Sequence, residues 1–154
     1  MQLIFEVNMS KFMKTLNNIS RSQAIFRQSE ISAVDLMSCH YAYALTISKK
    51  AGCSQEEIAQ ELCVNKSTVT RTLNYLEEKG YICRKEKEND KRQMAVFPTE
   101  KLLLVLPEIK DASARWMALL SEGISKEDLL TFNRVLKQME TKAKEITYKQ
   151  EENK

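Results

Sequence analysis

Apolar residues recur at helical spacing in two neighbouring segments near the middle of the chain. In the first segment, Ile58, Ala59 and Leu62 fall on one face of a helix, and the small Ala59 permits close approach by a second helix. The second segment carries an apolar stripe at positions i, i+4 and i+7, formed by Val69, Leu73 and Leu76. The pattern therefore predicts two short helices that pack against each other.

Polar residues at the segment ends predict where these helices begin and end. Ser54 followed by Glu57 is a capping box, in which each side chain satisfies a backbone N–H that the first helix leaves unpaired. Residues 63–65 read as the turn, and Asn65 is the predicted N-cap of the second helix. Gly80 is the predicted C′ residue that ends it. Two short helices joined by a tight turn form a helix-turn-helix.

A predicted β-hairpin follows the second helix. Residues 81–83 begin an apolar strand, residues 94–97 form a second apolar run, and Pro98 ends it. The segment between them is strongly charged, with Asn89-Asp90 as the turn signal at its tip. A helix-turn-helix followed by such a hairpin, or wing, is typical of proteins that read duplex DNA.

The polar face of the second helix has the side chains that DNA recognition requires. Hydroxyl groups reach phosphates or base edges, Asn pairs with adenine and Arg with guanine, so the predicted major-groove residues are Lys66, Ser67, Thr68, Thr70, Arg71 and Asn74. Basic side chains at the hairpin tip suit a phosphate backbone or a minor groove, and they are Lys87, Lys91 and Arg92. An ordinary polar helix start and a solvated hairpin tip are the alternatives, and the adjacency of the two features favours DNA binding.

The run from Glu57 through Lys101 resembles the MarR family of bacterial winged-helix transcription regulators. The resemblance rests on the hydroxyl-rich helix KSTVTRTLNYLEEKG, on Asp90-Lys91-Arg92 in the wing, and on residues 98–101, PTEK, which lead into a long helix. It implies a homodimer in which Arg92 enters the minor groove. It also implies that Asp90 braces the wing by pairing with a basic side chain, for which Arg71 is a candidate.

Two residues depart from the family pattern. Cys63 stands where the family often has a turn glycine, so we expect it to adopt a positive φ at some cost. Pro107 lies inside the long helix after the wing, and a proline there removes a hydrogen bond and kinks the axis. We therefore expect a bend or break near residues 105–107.

The flanking segments predict a helical frame. Residues 9–28 and 32–50 read as helices, and the apolar set of the second comprises Ala33, Leu36, Met37, Ala44, Leu45 and Ile47. A helix over about 99–121 follows the wing, and Ser125 with Asp128 caps a last helix with the apolar residues Leu129, Phe132, Leu136, Met139, Ala143 and Ile146. Long one-sided apolar helices need a surface to bury that face against, and a second copy of the chain is the simplest one. Intramolecular packing alone is the alternative.

These observations predict a mainly α (α+β) fold in a single domain over 1–154. Its winged helix-turn-helix lobe spans 32–98, and the dimerisation helices span 1–30 and 99–150. The net charge of +3 is modest and indicates few phosphate contacts per subunit. The chain lacks a glycine-rich phosphate loop, a nucleophile elbow and paired carboxylates, and it has one histidine. We therefore predict neither an enzyme nor a cofactor.

The four cysteines have no CxxC spacing and fit a reducing compartment. No segment reads as an export signal or a membrane span, so the predicted location is the cytoplasm. Cys39 and His40 are adjacent and point in different directions from a helix, which argues against a metal site. Redox sensing through Cys39, Cys53 or Cys63 stays open against the alternative of small buried apolar residues.

The family resemblance also implies a small-molecule pocket between the dimer frame and the DNA-binding lobe. The candidate residues, chosen by position, are Met13, Met37, His40, Tyr41, Trp116 and Met117. An ordinary core is the alternative for these side chains. The predicted function is a homodimeric, sequence-specific regulator that binds double-stranded DNA at an inverted-repeat operator. Repression is the common outcome in the family, although the sequence would look the same for an activator, and a small-molecule effector is a candidate partner. The alternative is a winged-helix module that contacts another regulator protein without DNA specificity of its own.

Overall fold

A computed structural model of the chain describes residues 9–31, 35–87 and 90–152, and the side chains of residues 9, 87, 90–92 and 148–152 lie outside that description. The six α-helices of this part of the chain are α1 Met9–Glu30, α2 Tyr41–Lys49, α3 Gln55–Leu62, α4 Lys66–Glu78, α5 Glu100–Leu120 and α6 Lys126–Glu152. Its strands are β1 Cys53–Ser54, β2 Ile82–Lys87 and β3 Asp90–Pro98. The chain divides into two compact units, one up to Trp116 and one from Met117 onward.

The helix-turn-helix is formed by α3 and α4, and its predicted caps are confirmed. The Ser54 hydroxyl accepts a hydrogen bond from the Glu57 N–H at 3.2 Å, and the Ser54 N–H donates to the Glu57 carboxylate at 2.7 Å. The Asn65 side chain accepts a hydrogen bond from the Thr68 N–H at 2.8 Å. Between the two helices, Cys63 has φ 52° and ψ 45°, the left-handed conformation that its position in the turn predicts.

The end of α4 is a Schellman motif centred on Gly80. Gly80 has φ 74°, its N–H donates to the Glu77 carbonyl at 2.9 Å, and the Tyr81 N–H donates to the Leu76 carbonyl at 2.8 Å. The Thr99 hydroxyl donates to the carbonyl of Gly80 at 2.7 Å, which joins this turn to the start of α5. The predicted glycine stop is confirmed.

The strands form one antiparallel sheet in the order β1-β3-β2. The hairpin of β2 and β3 pairs Arg84 with Val96, and the register shifts at Glu86/Lys87 near the tip. The two-residue strand β1 pairs Cys53 with Val96 on the other side of β3. The sequence predicts the β2–β3 hairpin, which is confirmed, but not β1, whose two residues are too few to show an alternating pattern.

A single apolar core in the first unit joins the helix-turn-helix, the sheet and two flanking helices. The predicted stripe of α4 is confirmed, since Val69, Leu73 and Leu76 are fully buried. Ile31, immediately after α1, and Leu102, Ile109 and Ala112 of α5 belong to the same core. The first turns of α5 are therefore held against the winged lobe, and the division into a lobe over 32–98 and dimerisation helices stays a prediction.

One expectation about the helices is wrong, and a second is wrong in part. Residues 38–40 form a 3₁₀ turn and α2 begins only at Tyr41, so Met37 lies in extended backbone before the turn and is 51% exposed rather than buried. Helix α5 runs without a break through Pro107, so the expected break is wrong, and the expected bend stays a prediction. The ring removes one hydrogen bond, but buried residues on both sides, Leu102 and Ile109, keep the helix packed.

The second unit consists of the last residues of α5, a turn and α6. Its predicted cap is confirmed, because the Ser125 hydroxyl accepts a hydrogen bond from the Asp128 N–H at 3.1 Å and donates to the Asp128 carboxylate at 2.7 Å. The apolar side chains on one face of α6 are largely exposed in the single chain: Phe132 is 54%, Met139 45% and Ile146 52% exposed. This face is available for packing against another surface.

Candidate nucleic-acid interface

The polar face of α4 lies opposite its buried stripe. Of the six residues that the sequence predicts here, Thr68 and Thr70 are partly exposed, and the exposed ones are Lys66, Ser67, Arg71 and Asn74. Because Val69, Leu73 and Leu76 anchor the other side, the rotation of α4 about its axis is set by the core. The structure thus brings the six predicted residues together on one surface.

Several hydrogen bonds order the start of this surface. The Ser67 hydroxyl donates to the Asn65 side chain at 2.8 Å. The Thr70 hydroxyl donates to the Lys66 carbonyl at 2.9 Å and accepts from the Gln55 amide at 2.6 Å, which ties the start of α3 to α4. Lys66 also pairs with Glu56 at 2.6 Å, but both side chains are more than half exposed, so the pair is weak and the cation can exchange it for a phosphate.

At the other end of α4, a charged cluster joins the helix to β2. We call Asn74, Glu77 and Arg84 the wing-root cluster. Arg84 Nε and Nη2 donate to Glu77 Oε2 at 2.9 and 2.5 Å, the Arg84 N–H donates to Glu77 Oε1 at 3.2 Å, and Nη2 also donates to Asn74 Oδ1 at 2.8 Å. The hydrogen bonds from Arg84 lower the pKa of the Glu77 carboxyl below its ordinary value, which keeps it ionised.

Sequence reasoning missed Arg84 and gave Asn74 a different partner. Arg84 is one of several basic residues in a charged hairpin, and nothing in the local pattern distinguishes it from its neighbours. The side chain of Arg84 is only 22% exposed, whereas Lys85 is an exposed residue. Because Asn74 Oδ1 already accepts from Arg84, a bidentate contact from Asn74 to adenine would compete with the wing-root cluster.

The wing itself is the hairpin of β2 and β3. Asp90, Lys91 and Arg92 are residues of β3 by their backbone, and Lys87 ends β2. The side chains of these four predicted DNA-contacting residues, and therefore the predicted pair of Asp90 with Arg71, lie outside the described residues. Their roles stay predictions.

The six residues predicted for an effector pocket are placed differently from one another. His40 is buried, and the centroid of its ring lies 4.6 Å from that of the Tyr75 ring. Burial lowers the pKa of His40, which favours its neutral form. Tyr41 is fully buried. The ring centroids of Trp116 and Phe26 lie 5.4 Å apart. The exposed members are Met13, Met37 and Met117, of which Met117 belongs to the second unit. The pocket stays a prediction.

The cysteines differ in exposure. Cys53 is buried as a member of the core, Cys83 is partly exposed, and Cys39 and Cys63 are exposed. Across residues 9–31, 35–87 and 90–152, no helix is both long enough and apolar enough to cross a membrane.

Comparison with known proteins agrees with this geometry. Residues 40–94 match the model of the MarR family. The chain is similar to the HTH-type transcriptional regulator BilQ of Clostridioides difficile (strain CD3), with 29% identity over 99 residues that cover 64% of this chain and 67% of the relative.

Solved structures share the fold. The crystal structure of the transcriptional regulator SlyA superposes with a TM-score of 0.83 and 25% identity, over 87% of this chain and 94% of that one. A putative MarR family regulator from Listeria monocytogenes, solved with a 26mer DNA, superposes with a TM-score of 0.81 and 22% identity, over 86% of this chain and 89% of that one.

Proposed function

The chain belongs to the MarR family of transcriptional regulators, and on that premise we propose that it is a homodimeric repressor that binds an inverted repeat in double-stranded DNA. Because the family regulates transcription, the chain is not an enzyme. The observation that carries the proposal is the polar face of α4, which the buried stripe of the same helix holds outward. Support comes also from the Listeria monocytogenes protein of the same fold, which was solved with DNA.

In this proposal the face of α4 enters the major groove. Arg71 is exposed and carries the guanidinium that suits guanine, and Ser67 and Thr68 at the helix start suit phosphates or base edges. The wing follows the backbone, with Arg92 in the adjacent minor groove, Asp90 bracing it, and Lys87 and Lys91 on phosphates. A net charge of +3 favours moderate affinity that falls with salt.

The proposed dimer is supported by the exposed apolar side chains of α6. Phe132, Met139 and Ile146 lie on one face of α6 and are 54%, 45% and 52% exposed in the single chain. A helix with such a face is stabilised by burying it, and a two-fold interface buries the same face of both copies. Two recognition helices then address half-sites about one helical turn apart.

A small-molecule effector and a cytoplasmic location belong to the same proposal. An effector would act by favouring a separation of the two lobes that no longer matches successive grooves. A regulator must also reach the DNA that it regulates.

The test is selection of bound fragments from a genomic DNA pool by the purified full chain, with its mass in solution measured alongside. Recovery of an inverted repeat by a dimer supports the proposal. A folded protein that recovers no fragment above background contradicts it, and favours the alternative of a module that contacts another regulator protein.

Substitutions then test DNA binding against the alternative of protein contact, by measuring affinity for the selected fragment. Arg71→Ala and Arg92→Ala should each cost about 1–3 kcal/mol of DNA affinity while the dimer stays folded. The exposed Lys49 of α2 provides a control, because Lys49→Ala removes a cation outside the predicted DNA-contacting residues and the dimerisation helices, and it should leave affinity nearly unchanged. Unchanged binding by folded Arg92→Ala would contradict the role of the wing.

A further inference from the structure

We propose that Arg84 is a positioning residue that fixes the direction of the wing relative to α4, so that the wing and the recognition helix reach DNA together. This inference rests on the proposed function. Arg84 belongs neither to the polar face of α4 nor to the wing tip, so the inference gives it a role that the proposed function does not include. Its basis is the geometry of the wing-root cluster, which spans the last turns of α4 and the first residues of β2.

The cluster holds Arg84 by both its main chain and its side chain. The two oxygens of the Glu77 carboxylate accept three hydrogen bonds from this one residue, at 2.5, 2.9 and 3.2 Å, and Asn74 Oδ1 accepts a fourth at 2.8 Å. The bond from the Arg84 N–H fixes the strand backbone, and the planar guanidinium fork fixes the approach of the side chain. Together these bonds restrain rotation of β2 about α4.

The position of the cluster gives it leverage over the wing. Arg84 lies two residues after the buried Ile82, which begins β2. Lys87 ends the strand three residues after Arg84, about 10 Å away at the rise of a β-strand. A tilt of roughly 15° at the root would displace the strand end by about 2.5 Å, several times the roughly 0.5 Å by which the length of an N–H···O hydrogen bond can vary. A root that holds its angle is therefore needed for reproducible contacts by the tip.

Burial of the cluster distinguishes it from Lys85 and Glu86, the other charged residues of the hairpin whose side chains the structure describes. The Arg84 side chain is 22% exposed and that of Glu77 38%, so water competes with their hydrogen bonds only partly. By contrast, Lys85 on the same strand is exposed, and its ammonium nitrogen lies 5.5 Å from the centre of the Phe97 ring. The basic charge at position 84 is thus directed at α4.

The test is a double-mutant cycle on the selected DNA fragment, using Arg84→Lys and Arg92→Ala in the full-length protein. Arg84→Lys keeps the positive charge but loses the guanidinium fork that reaches Glu77 Oε2 and Asn74 Oδ1 together, so a loss of affinity cannot come from a missing charge. We expect Arg84→Lys to weaken binding roughly tenfold. We also expect Arg92→Ala to cost much less in the Arg84→Lys background than in the wild type, because a misdirected wing has already lost its contact.

The matched control is Lys85→Arg, a change of the same two residue types in the opposite direction on the same strand. It should leave both the affinity and the cost of Arg92→Ala unchanged. Glu77→Gln tests the cluster from its other side and should reproduce the non-additivity, which keeps the inference testable should Arg84→Lys fail to fold.

The outcomes separate this inference from the proposed function. Additive losses for positions 84 and 92, in folded dimers that bind the fragment, would overturn the positioning role and leave DNA binding intact. A wild-type protein that binds no DNA would overturn both. A shared loss, accompanied by weaker hydroxyl-radical protection at the minor groove under the wing, is the expected result.

Discussion

Replacing Cys63 by glycine should stabilise this protein. Cys63 has φ 52° and is the one non-glycine residue with a positive φ among the described residues. Its Cβ is the source of the strain, because an L-residue in the left-handed region brings that atom close to the following carbonyl oxygen. The Cys63→Gly substitution removes the Cβ and keeps the N–H that donates to the Gln60 carbonyl at 3.3 Å.

The magnitude follows from two opposing effects. Relief of the left-handed strain contributes about 1–2 kcal/mol. Glycine gives the unfolded chain more freedom, which costs about 0.4–1 kcal/mol. The lost side chain adds little, because Cys63 is exposed and its Sγ lies 3.8 Å from the Gln60 carbonyl oxygen. The expected net gain is about 0.5–1 kcal/mol, or roughly 1–4 °C in melting temperature for a chain of this size.

The assay compares thermal unfolding of the wild type, Cys63→Gly and Cys63→Ala under reducing conditions at one chain concentration, since the proposed dimerisation would make the melting temperature depend on concentration. Cys63→Ala is the matched control, because it removes the sulfur and keeps the Cβ. We expect Cys63→Gly to melt above both other proteins. A Cys63→Gly protein that melts at or below Cys63→Ala would refute the strain argument.

Three further predictions concern stability. Ser54→Ala should lower the free energy of unfolding by about 1 kcal/mol, because it deletes half of the capping box, whereas Ser54→Asn should retain most of it in urea unfolding; equal losses would contradict the cap. Pro107→Ala should raise the free energy of unfolding by roughly 1–3 kcal/mol, because Pro107 is exposed inside a continuous helix and its replacement restores a backbone hydrogen bond; a loss in the same assay would show that the ring itself packs. Hydrogen bonds from Lys50 and from the Ser54 backbone lower the pKa of Glu57 from 4.5 to about 2, so its ionised form stabilises the folded state fully above pH 4.5. That contribution should disappear as the pH falls from about 4.5 towards 2, so the stability difference between the wild type and Glu57→Gln should shrink over this range, and a difference independent of pH would argue against the ion pair.

Features that depend on a few neighbouring residues could be predicted from the sequence alone. The capping box at Ser54, the N-cap at Asn65 and the stop at Gly80 each involve a few consecutive residues, so their signals survive in one dimension. The buried stripe of α4 is also visible, because helical periodicity alone selects Val69, Leu73 and Leu76. These local rules place the polar face of α4 and, with it, the candidate recognition surface.

Which charged and apolar groups of different elements come into contact depends on the folded chain and is not visible in the sequence. Arg84 is indistinguishable from the other basic residues of the hairpin until the fold brings it to Glu77 and Asn74, seven and ten residues away. Met37 has an apolar side chain of the kind that fills protein cores, but it precedes the 3₁₀ turn and is exposed. Pro107 carries a breaking signal that packing on both sides overrides. Each of these outcomes depends on contacts between residues of different elements, and a periodic pattern along one segment carries no information about its partner.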